Sequence, residues 1–168
     1  MFYFLIRGVR VKIKRCQRGV GILSQAFQKS IERKSLYLSE NAQEQRGREL
    51  SSALEDLDNA RLSYSQKHYK GATILACQSL FHSARALLCS RGYEGKSLSC
   101  IIGGIDHLFA DQGLIEIKWI MVLLRALTFK EDSHYLVEYS NSDAKYFMGN
   151  AVQFLHVVKD LLAKGDGF

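Results

Sequence analysis

Apolar side chains recur every three or four residues along most of this chain, a spacing typical of amphipathic α-helices. One apolar stripe lies in the first half of the chain and consists of Leu50, Ala53, Leu54, Leu57, Ala60 and Tyr64. A second consists of Cys77, Leu80, Phe81, Ala84, Leu87 and Leu88, and a third of Phe147, Ala151, Phe154, Val158 and Leu161. The three stripes predict three long helices that each bury one face.

Weaker periodicity and turn residues indicate where the other helices lie. We predict a first helix over residues 23–46 that Gly47 interrupts, and a helix from the N-cap residue Ser97 to about Ala110. Residues 70–91 and 114–128 are also predicted to be helical, and Ser142 or Asp143 lies near the start of the last helix. The remaining predictions are turns at residues 68–71, 92–96 and 111–113.

Short turns between long amphipathic helices predict that successive helices pack antiparallel. The chain contains no proline, the residue that helix interiors exclude. The predicted fold is therefore all-α, an up-and-down antiparallel bundle of four to five main helices plus an N-terminal helix or arm. We expect residues 21–168 to form a single domain, since a chain of 168 residues can bury a core without disulfides.

The net charge of +6 arises in residues 1–20, which we interpret as a basic arm. Its six cations are Arg7, Arg10, Lys12, Lys14, Arg15 and Arg18, and residues 1–18 contain no acid. The rest of the chain holds 17 of the 23 basic residues and all 17 acidic ones, so it is neutral. The alternation of residues 9–14 suits a short strand or extended arm that binds a membrane surface or nucleic acid, or a flexible tail. The apolar run at residues 2–6 is too short to span a bilayer.

The residue spacings favour no metal or cofactor. Cys16, Cys77, Cys89 and Cys100 form no CxxC pair, and the sequence has no phosphate-binding loop and no HExxH motif. We therefore expect no cofactor and no metal site. Without a signal peptide, the cysteines are interpreted as reduced thiols in a cytoplasmic protein.

Two clusters could carry chemistry. Helical spacing puts Gln78, His82, Arg85 and Cys89 on one face of the predicted helix 70–91, either as a site or as polar groups with structural partners. The second cluster is Lys130, Glu131, Asp132, Ser133, His134 and Tyr135. A histidine beside a cation could cleave RNA without metal by moving the 2′-OH proton while the cation stabilises the phosphate. The same residues could instead form a solvated helix end.

Three stretches together resemble the HEPN domain family, in its archaeal branch. They are residues 79–88 (SLFHSARALL) with Arg91, Gly92 and Tyr93, then Gly95, Lys96 and Ser97, then Lys130, Glu131 and Tyr135. The resemblance covers residues 45–163. It implies a helical bundle of four or five helices that is usually dimeric and often encoded beside a minimal nucleotidyltransferase. Many members are metal-independent RNase toxins, with an Arg and a His (R-x4–6-H) at the dimer interface.

The sequence departs from that RNase motif. Lys130 stands where the archaeal branch has the arginine of an RE-x-ADY motif, and Arg125 lies nine positions before His134, too far for R-x4–6-H. The resulting hypothesis is a dimeric binding module with a degenerate RNase motif and a nucleotidyltransferase-type antitoxin as partner. The alternative is an active RNase toxin that uses His134 or His82 with Lys130, Arg85 or Arg125 to cut RNA. The candidate binding residues are Gln78, Lys96, Ser97, Arg125, Glu131 and Tyr135.

Overall fold

The structure is a computed structural model that describes residues 2–6, 9–13, 22–131 and 139–165, with side chains for residues 27–129 and 139–164. Its elements are β1 (Phe2–Ile6), β2 (Val9–Ile13), α1 (Ile22–Glu32), β3 (Leu36–Leu38), α2 (Ala42–Ser65), α3 (Tyr69–Cys89), β4 (Tyr93–Gly95), α4 (Leu98–Ile105), a π-helical turn (Asp106–Ala110), α5 (Ile117–Glu131) and α6 (Asn141–Gly165). The predicted all-α bundle is confirmed, because helices contribute nearly all of the core.

Helix α3 lies at the centre of the bundle, with α2 and α6 packed against it. Helix α2 runs antiparallel to it, and the Ser79 hydroxyl donates a hydrogen bond to the Ala53 carbonyl across the pair at 2.6 Å. Among the largest fully buried side chains around α3 are Leu80, Leu87, Leu123, Phe147, Phe154 and Val158. Burying a side chain of this size contributes roughly 1.5–3 kcal/mol relative to leaving it exposed. The buried members of the three predicted stripes form one core, whereas Leu54 of the first stripe is 40% exposed, so its predicted burial is wrong.

The predicted first helix over residues 23–46 is wrong in its second half. Helix α1 ends at Glu32, and Lys34 adopts a positive φ of 51° that no helix continues. Strand β3 follows. Its central residue, Tyr37, pairs with Glu94 of β4, and Leu36 is fully buried. The predicted interruption at Gly47 is also wrong. Gly47 lies within α2 on the exposed side, where the roughly 1 kcal/mol helix penalty of glycine is offset by packing along the other face.

The predicted turn at residues 92–96 contains a strand instead. Strand β4 pairs antiparallel with β3, and Tyr37 lies opposite Glu94 in this ribbon. Gly92 ends the α3 segment with a φ of 80°, a conformation that glycine adopts without strain. Gly95 lets the ribbon approach α4, since a Cβ there would lie 2.8 Å from Ile101 Cγ1.

The other boundaries follow the sequence closely. Ser97 caps α4 by accepting a hydrogen bond from the Cys100 amide at 3.3 Å, as predicted. The helix ends at Ile105, and a π-helical turn continues it to Ala110. In the arm, β2 adopts the strand that was one of the interpretations left open, and it pairs antiparallel with β1. The division of the chain at residue 20 stays a prediction. Across the described residues, no helix is long and apolar enough to cross a membrane.

Candidate functional site

His82 lies between two carboxylates of α2. Its Nδ1 is 2.6 Å from Glu49 Oε2, and its Nε2 is 3.5 Å from Asp56 Oδ2. Glu49 is itself only 8% exposed and also accepts a hydrogen bond from the Gln45 amide at 3.3 Å. Partial burial raises the pKa of Asp56, and the facing His82 opposes that rise. We call these three residues, Glu49, Asp56 and His82, the histidine clamp.

The clamp fixes the chemistry that His82 can perform. A general base needs a ring nitrogen within hydrogen-bond reach of the substrate proton, and both nitrogens of His82 face carboxylates. The two acids also create a local negative charge that repels a phosphodiester. The imidazole therefore links α2 to α3, as one of the two sequence interpretations requires.

Arg85 lies one turn further along α3, at the edge of a small cleft. The cleft has a volume of about 80 Å³, and its polar walls include Gln45 and Glu49 of α2 and Glu94 of β4. Arg85 is half-buried and makes no hydrogen bond or ion pair with the side chains that the structure describes. The cleft thus contains one cation whose donors are uncommitted.

The other two members of the predicted polar row have separate environments. Cys89 is buried at the cleft, and burial raises the pKa of its thiol to about 12. A thiol held protonated at neutral pH is a poor nucleophile. Gln78 is exposed on α3, one turn before His82. The structure therefore brings His82, Arg85 and Cys89 to the α2–α3 interface and leaves Gln78 at the surface.

Lys96 and Ser97 lie where β4 joins α4. The Lys96 ammonium is 5.7 Å from the centre of the Tyr37 ring, and its backbone amide donates to the Ser35 carbonyl at 2.8 Å. Ser97 is the N-cap of α4 and its hydroxyl also lies 2.9 Å from the Cys100 sulfur. These contacts of Lys96 and Ser97 order the backbone where β4 joins α4.

Arg125 occupies a second region, where α5 faces the start of α6. Its guanidinium carbon lies 4.1 Å from the centre of the Tyr146 ring, with Phe129 and Phe147 at about 6 Å. Among the described residues, the carboxylate oxygen nearest to it is Asp143 Oδ1, 3.8 Å from Nη2, and the Arg125 side chain is 46% exposed. We call Arg125, Asp143 and Tyr146 the arginine shelf.

Serine and acid side chains order the beginning of α6 beside the shelf. Ser140 Oγ donates to Asp143 Oδ2 at 2.6 Å, and the Asp143 amide donates back to Ser140 Oγ at 3.1 Å. This reciprocal pair is a capping arrangement at the predicted start of the helix. It also fixes the carboxylate of Asp143 next to Arg125.

Four predicted site residues follow Arg125 in the chain. The backbone of Lys130 and Glu131 completes α5, about one turn beyond the arginine shelf, and their side chains lie outside the described ones. His134 and Tyr135 lie outside the described residues. Their proposed role in RNA cleavage stays a prediction.

Sequence reasoning missed the acids of the clamp and of the cleft. Glu49 lies on the same helical stripe as Ala53 and Leu57, and an acid on an apolar stripe was the available signal. Asp56 follows seven positions later, which is two helical turns. No local sequence signal indicates that Glu94 lines the cleft, because its position depends on the pairing of β3 with β4. Within the described part of the chain, no group of three or more His, Cys, Asp or Glu side chains is arranged so that it could hold a metal ion.

Comparison with known proteins agrees with this architecture. The family model described as the HEPN domain matches residues 48–161, which span α2 to α6. A protein of Methanocaldococcus jannaschii named "Putative toxin MJ0605" is 24% identical over 111 residues. The match covers 66% of this chain and 83% of that protein.

Proposed function

Because the chain belongs to the HEPN domain family, we propose that it is a toxin-like HEPN protein that acts as a dimeric binding module. Its proposed partner is a nucleotidyltransferase-type antitoxin, its RNase motif is degenerate, and its compartment is the cytoplasm. The toxin name of the archaeal relative supports the assignment to a toxin–antitoxin-like system. The branch that the sequence resembles often pairs with nucleotidyltransferases, which supports the choice of partner.

The histidine clamp is the observation that carries this proposal. His82 is the histidine that the α3 motif of the family resemblance contributes. Glu49 is hydrogen-bonded to its Nδ1, and an Asp56 oxygen lies 3.5 Å from its Nε2. A catalytic imidazole must exchange its proton with the substrate, whereas the clamp holds the ring between two acids. The described polar row of α3 therefore supports packing and binding rather than cleavage.

Exposed leucines on α2 offer a surface for the second copy or the partner. Leu54 is 40% exposed and Leu62 is 58% exposed, and eight residues separate them, so they share one face of the helix. Apolar side chains that recur on a solvent-facing helix commonly mark an interaction surface. This face lies away from the core stripe of Ala53, Leu57 and Ala60.

The first test combines mass and partner binding. Light scattering after size-exclusion chromatography should give about twice the 19.1 kDa chain mass. The chain should also co-purify with a nucleotidyltransferase-type protein encoded beside it. Leu62→Glu should disrupt one of these assemblies, whereas Leu38→Glu, at a 71%-exposed leucine of β3, should leave both intact. A monomer that binds no such protein would refute the proposal.

The second test is metal-free cleavage of a labelled tRNA or total-RNA pool. We expect no cleavage by well-folded wild type over a range of pH. His82→Ala should behave as wild type does in this assay, because the clamp has a structural role. Cleavage that His134→Ala abolishes, with the helical circular dichroism spectrum retained, would instead establish an RNase.

An active, metal-independent RNase toxin is the second candidate, and the arginine shelf favours it. Arg125 presents an exposed guanidinium on the helix that carries Lys130, and an arginine can bind a phosphate with two hydrogen bonds. In this case Arg125→Ala and His134→Ala would both lose cleavage. The histidine clamp would still leave His82 outside the reaction.

A further inference from the structure

One edge of strand β4 has no backbone partner among the described residues. The Ser39 amide donates to the Gly92 carbonyl and the Lys96 amide donates to the Ser35 carbonyl, each in the register that pairs Tyr37 with Glu94. Antiparallel ladders alternate hydrogen-bonded and non-hydrogen-bonded pairs, so the pairs on either side of Glu94 point their backbone groups outward.

The outward groups of β4 belong to Tyr93 and Gly95. Neither residue's amide or carbonyl takes part in the backbone hydrogen bonds made outside helices and ladders by the described residues. Both residues are partly exposed, and both line the cleft beside Arg85. Such an edge accepts an additional strand when a partner supplies one in extended form.

The charges of the cleft determine which side chain the added strand must carry. Glu49 is engaged by His82 and Gln45, and Glu94 accepts a hydrogen bond from the Tyr37 hydroxyl at 3.1 Å. Arg85 is the charged group of the cleft whose donors have no partner among the described side chains. A buried or half-buried guanidinium is stabilised by a carboxylate, with which it forms two parallel hydrogen bonds.

The small volume limits the anion to one group, and the neighbouring charge disfavours a doubly charged one. A volume of about 80 Å³ suits one short side chain. Glu49 and Glu94 repel a doubly charged phosphate more strongly than a carboxylate, because a carboxylate carries half that charge. The cleft therefore fits an acidic side chain better than a phosphate group.

We propose that the β4 edge and the Arg85 cleft form a docking site for an extended acidic segment of a partner protein. The segment pairs its backbone with Tyr93 and Gly95 and places one aspartate or glutamate carboxylate on Arg85. This inference rests on the proposed binding-module function and adds the chemistry of the partner. It assigns recognition to a face different from the exposed leucines of α2.

A displayed library of random linear heptapeptides, selected on the full chain, tests the proposal. Selected peptides should share one acidic residue flanked by strand-forming residues. The best peptide, titrated into isotope-labelled protein, should shift the amide signals of Tyr93 and Gly95 in a saturable way. Replacing its acid by the amide should weaken binding about tenfold, which corresponds to 1.4 kcal/mol, and phosphoserine at that position should bind more weakly than glutamate.

Two variants test whether the preference for an acidic peptide depends on Arg85 itself or on any nearby cation. Arg85→Gln should remove the preference for acid over amide, while Arg91→Gln, at a nearby exposed cation stacked on Phe109, should keep it. The proposal is overturned if no acidic peptides are enriched, if Tyr93 and Gly95 do not respond, or if Arg85→Gln retains the preference. Dimerisation and co-purification with the nucleotidyltransferase, if they persist in Arg85→Gln, would sustain the proposed function while this docking site fails.

Discussion

The histidine clamp and the arginine shelf hold basic side chains in opposite ways. His82 has a carboxylate oxygen 2.6 Å from one ring nitrogen and another 3.5 Å from the second. Arg125 has an aromatic ring 4.1 Å from its guanidinium carbon and a carboxylate oxygen only at 3.8 Å. In the clamp, acids face the ring nitrogens of the imidazole. In the shelf, an aromatic ring contacts the flat face of the guanidinium and leaves its edge donors available.

This difference separates a basic side chain with a structural role, His82, from one that is available to a ligand, Arg125. The clamp ties α3 to α2 at the centre of the bundle, so its loss should affect stability. The shelf lies at the helix end next to the Lys130 segment, so its loss should affect ligand binding more than stability. Variants at the two regions can therefore break or sharpen the distinction.

The largest stability effect is expected at Glu49. Glu49→Ala leaves His82 with Asp56 as its remaining acidic neighbour and removes a buried acceptor, which should lower the free energy of unfolding by about 3 kcal/mol. Urea denaturation followed by circular dichroism measures the change. Glu44→Ala, which breaks an exposed ion pair with Arg48 on the same helix, should cost about 0.5 kcal/mol or less. Equal effects of the two variants would remove the structural role assigned to the clamp.

Asp106 extends the comparison to an acid that lacks a partner. Its side chain is 3% exposed, and Oδ2 accepts no hydrogen bond from the described residues. Burial raises the pKa of Asp106 to about 6, the negative charge of Asp111 adds to the rise, and His107 opposes it. The folded state therefore binds the proton more tightly than the unfolded state does.

The sign of the pH dependence follows from that raised pKa. Stability from Asp106 is fully present below about pH 4 and is lost as the pH rises through about 6, by about 2 kcal/mol. Urea denaturation between pH 4 and 7.5 should show this loss in wild type relative to Asp106→Asn. A constant difference between the two proteins over that range would contradict the assignment.

The long helices could be predicted from sequence, while the ribbon could not. Helix α3 and the Ser97 cap depend on local spacing, so periodicity indicates them correctly. Strand β3 pairs with β4, 57 positions later in the chain, and three residues carry too little alternation to signal a strand. The first predicted helix ran past Glu32 for the same reason, because its apolar residues Leu36 and Leu38 fit either period.

The candidate sites show a similar limit. The spacing on α3 correctly predicts that His82 and Arg85 lie near each other, since both positions belong to one helix. It cannot indicate that acids from α2 meet His82, because that contact depends on how two helices pack. Only the assembled structure separates the engaged His82 from the uncommitted Arg85.

Arg125 should show the reverse of the Glu49 result. Arg125→Ala removes a stacked cation from a side chain that is 46% exposed and should cost about 1 kcal/mol of stability or less. Binding of RNA or of the protein partner at this end should weaken more strongly, as isothermal calorimetry would measure. Arg125→Lys keeps the charge without the planar fork, so only partial recovery is expected. Full recovery by lysine would mean that the charge alone matters.

The smallest effect is expected at Ser140, which positions the acid of the shelf. Ser140→Ala removes the hydroxyl that bonds both the amide and the carboxylate of Asp143, and loss of such a cap should cost about 0.5 kcal/mol. The freed Asp143 can then move closer than 3.8 Å to Arg125 and compete with an anionic ligand. Ser140→Ala should therefore weaken ligand binding through Arg125 although it touches no ligand, and the double variant with Asp143→Asn should restore it. Binding that stays low in the double variant would show that Arg125 depends on the order of the helix start rather than on freedom from its acid.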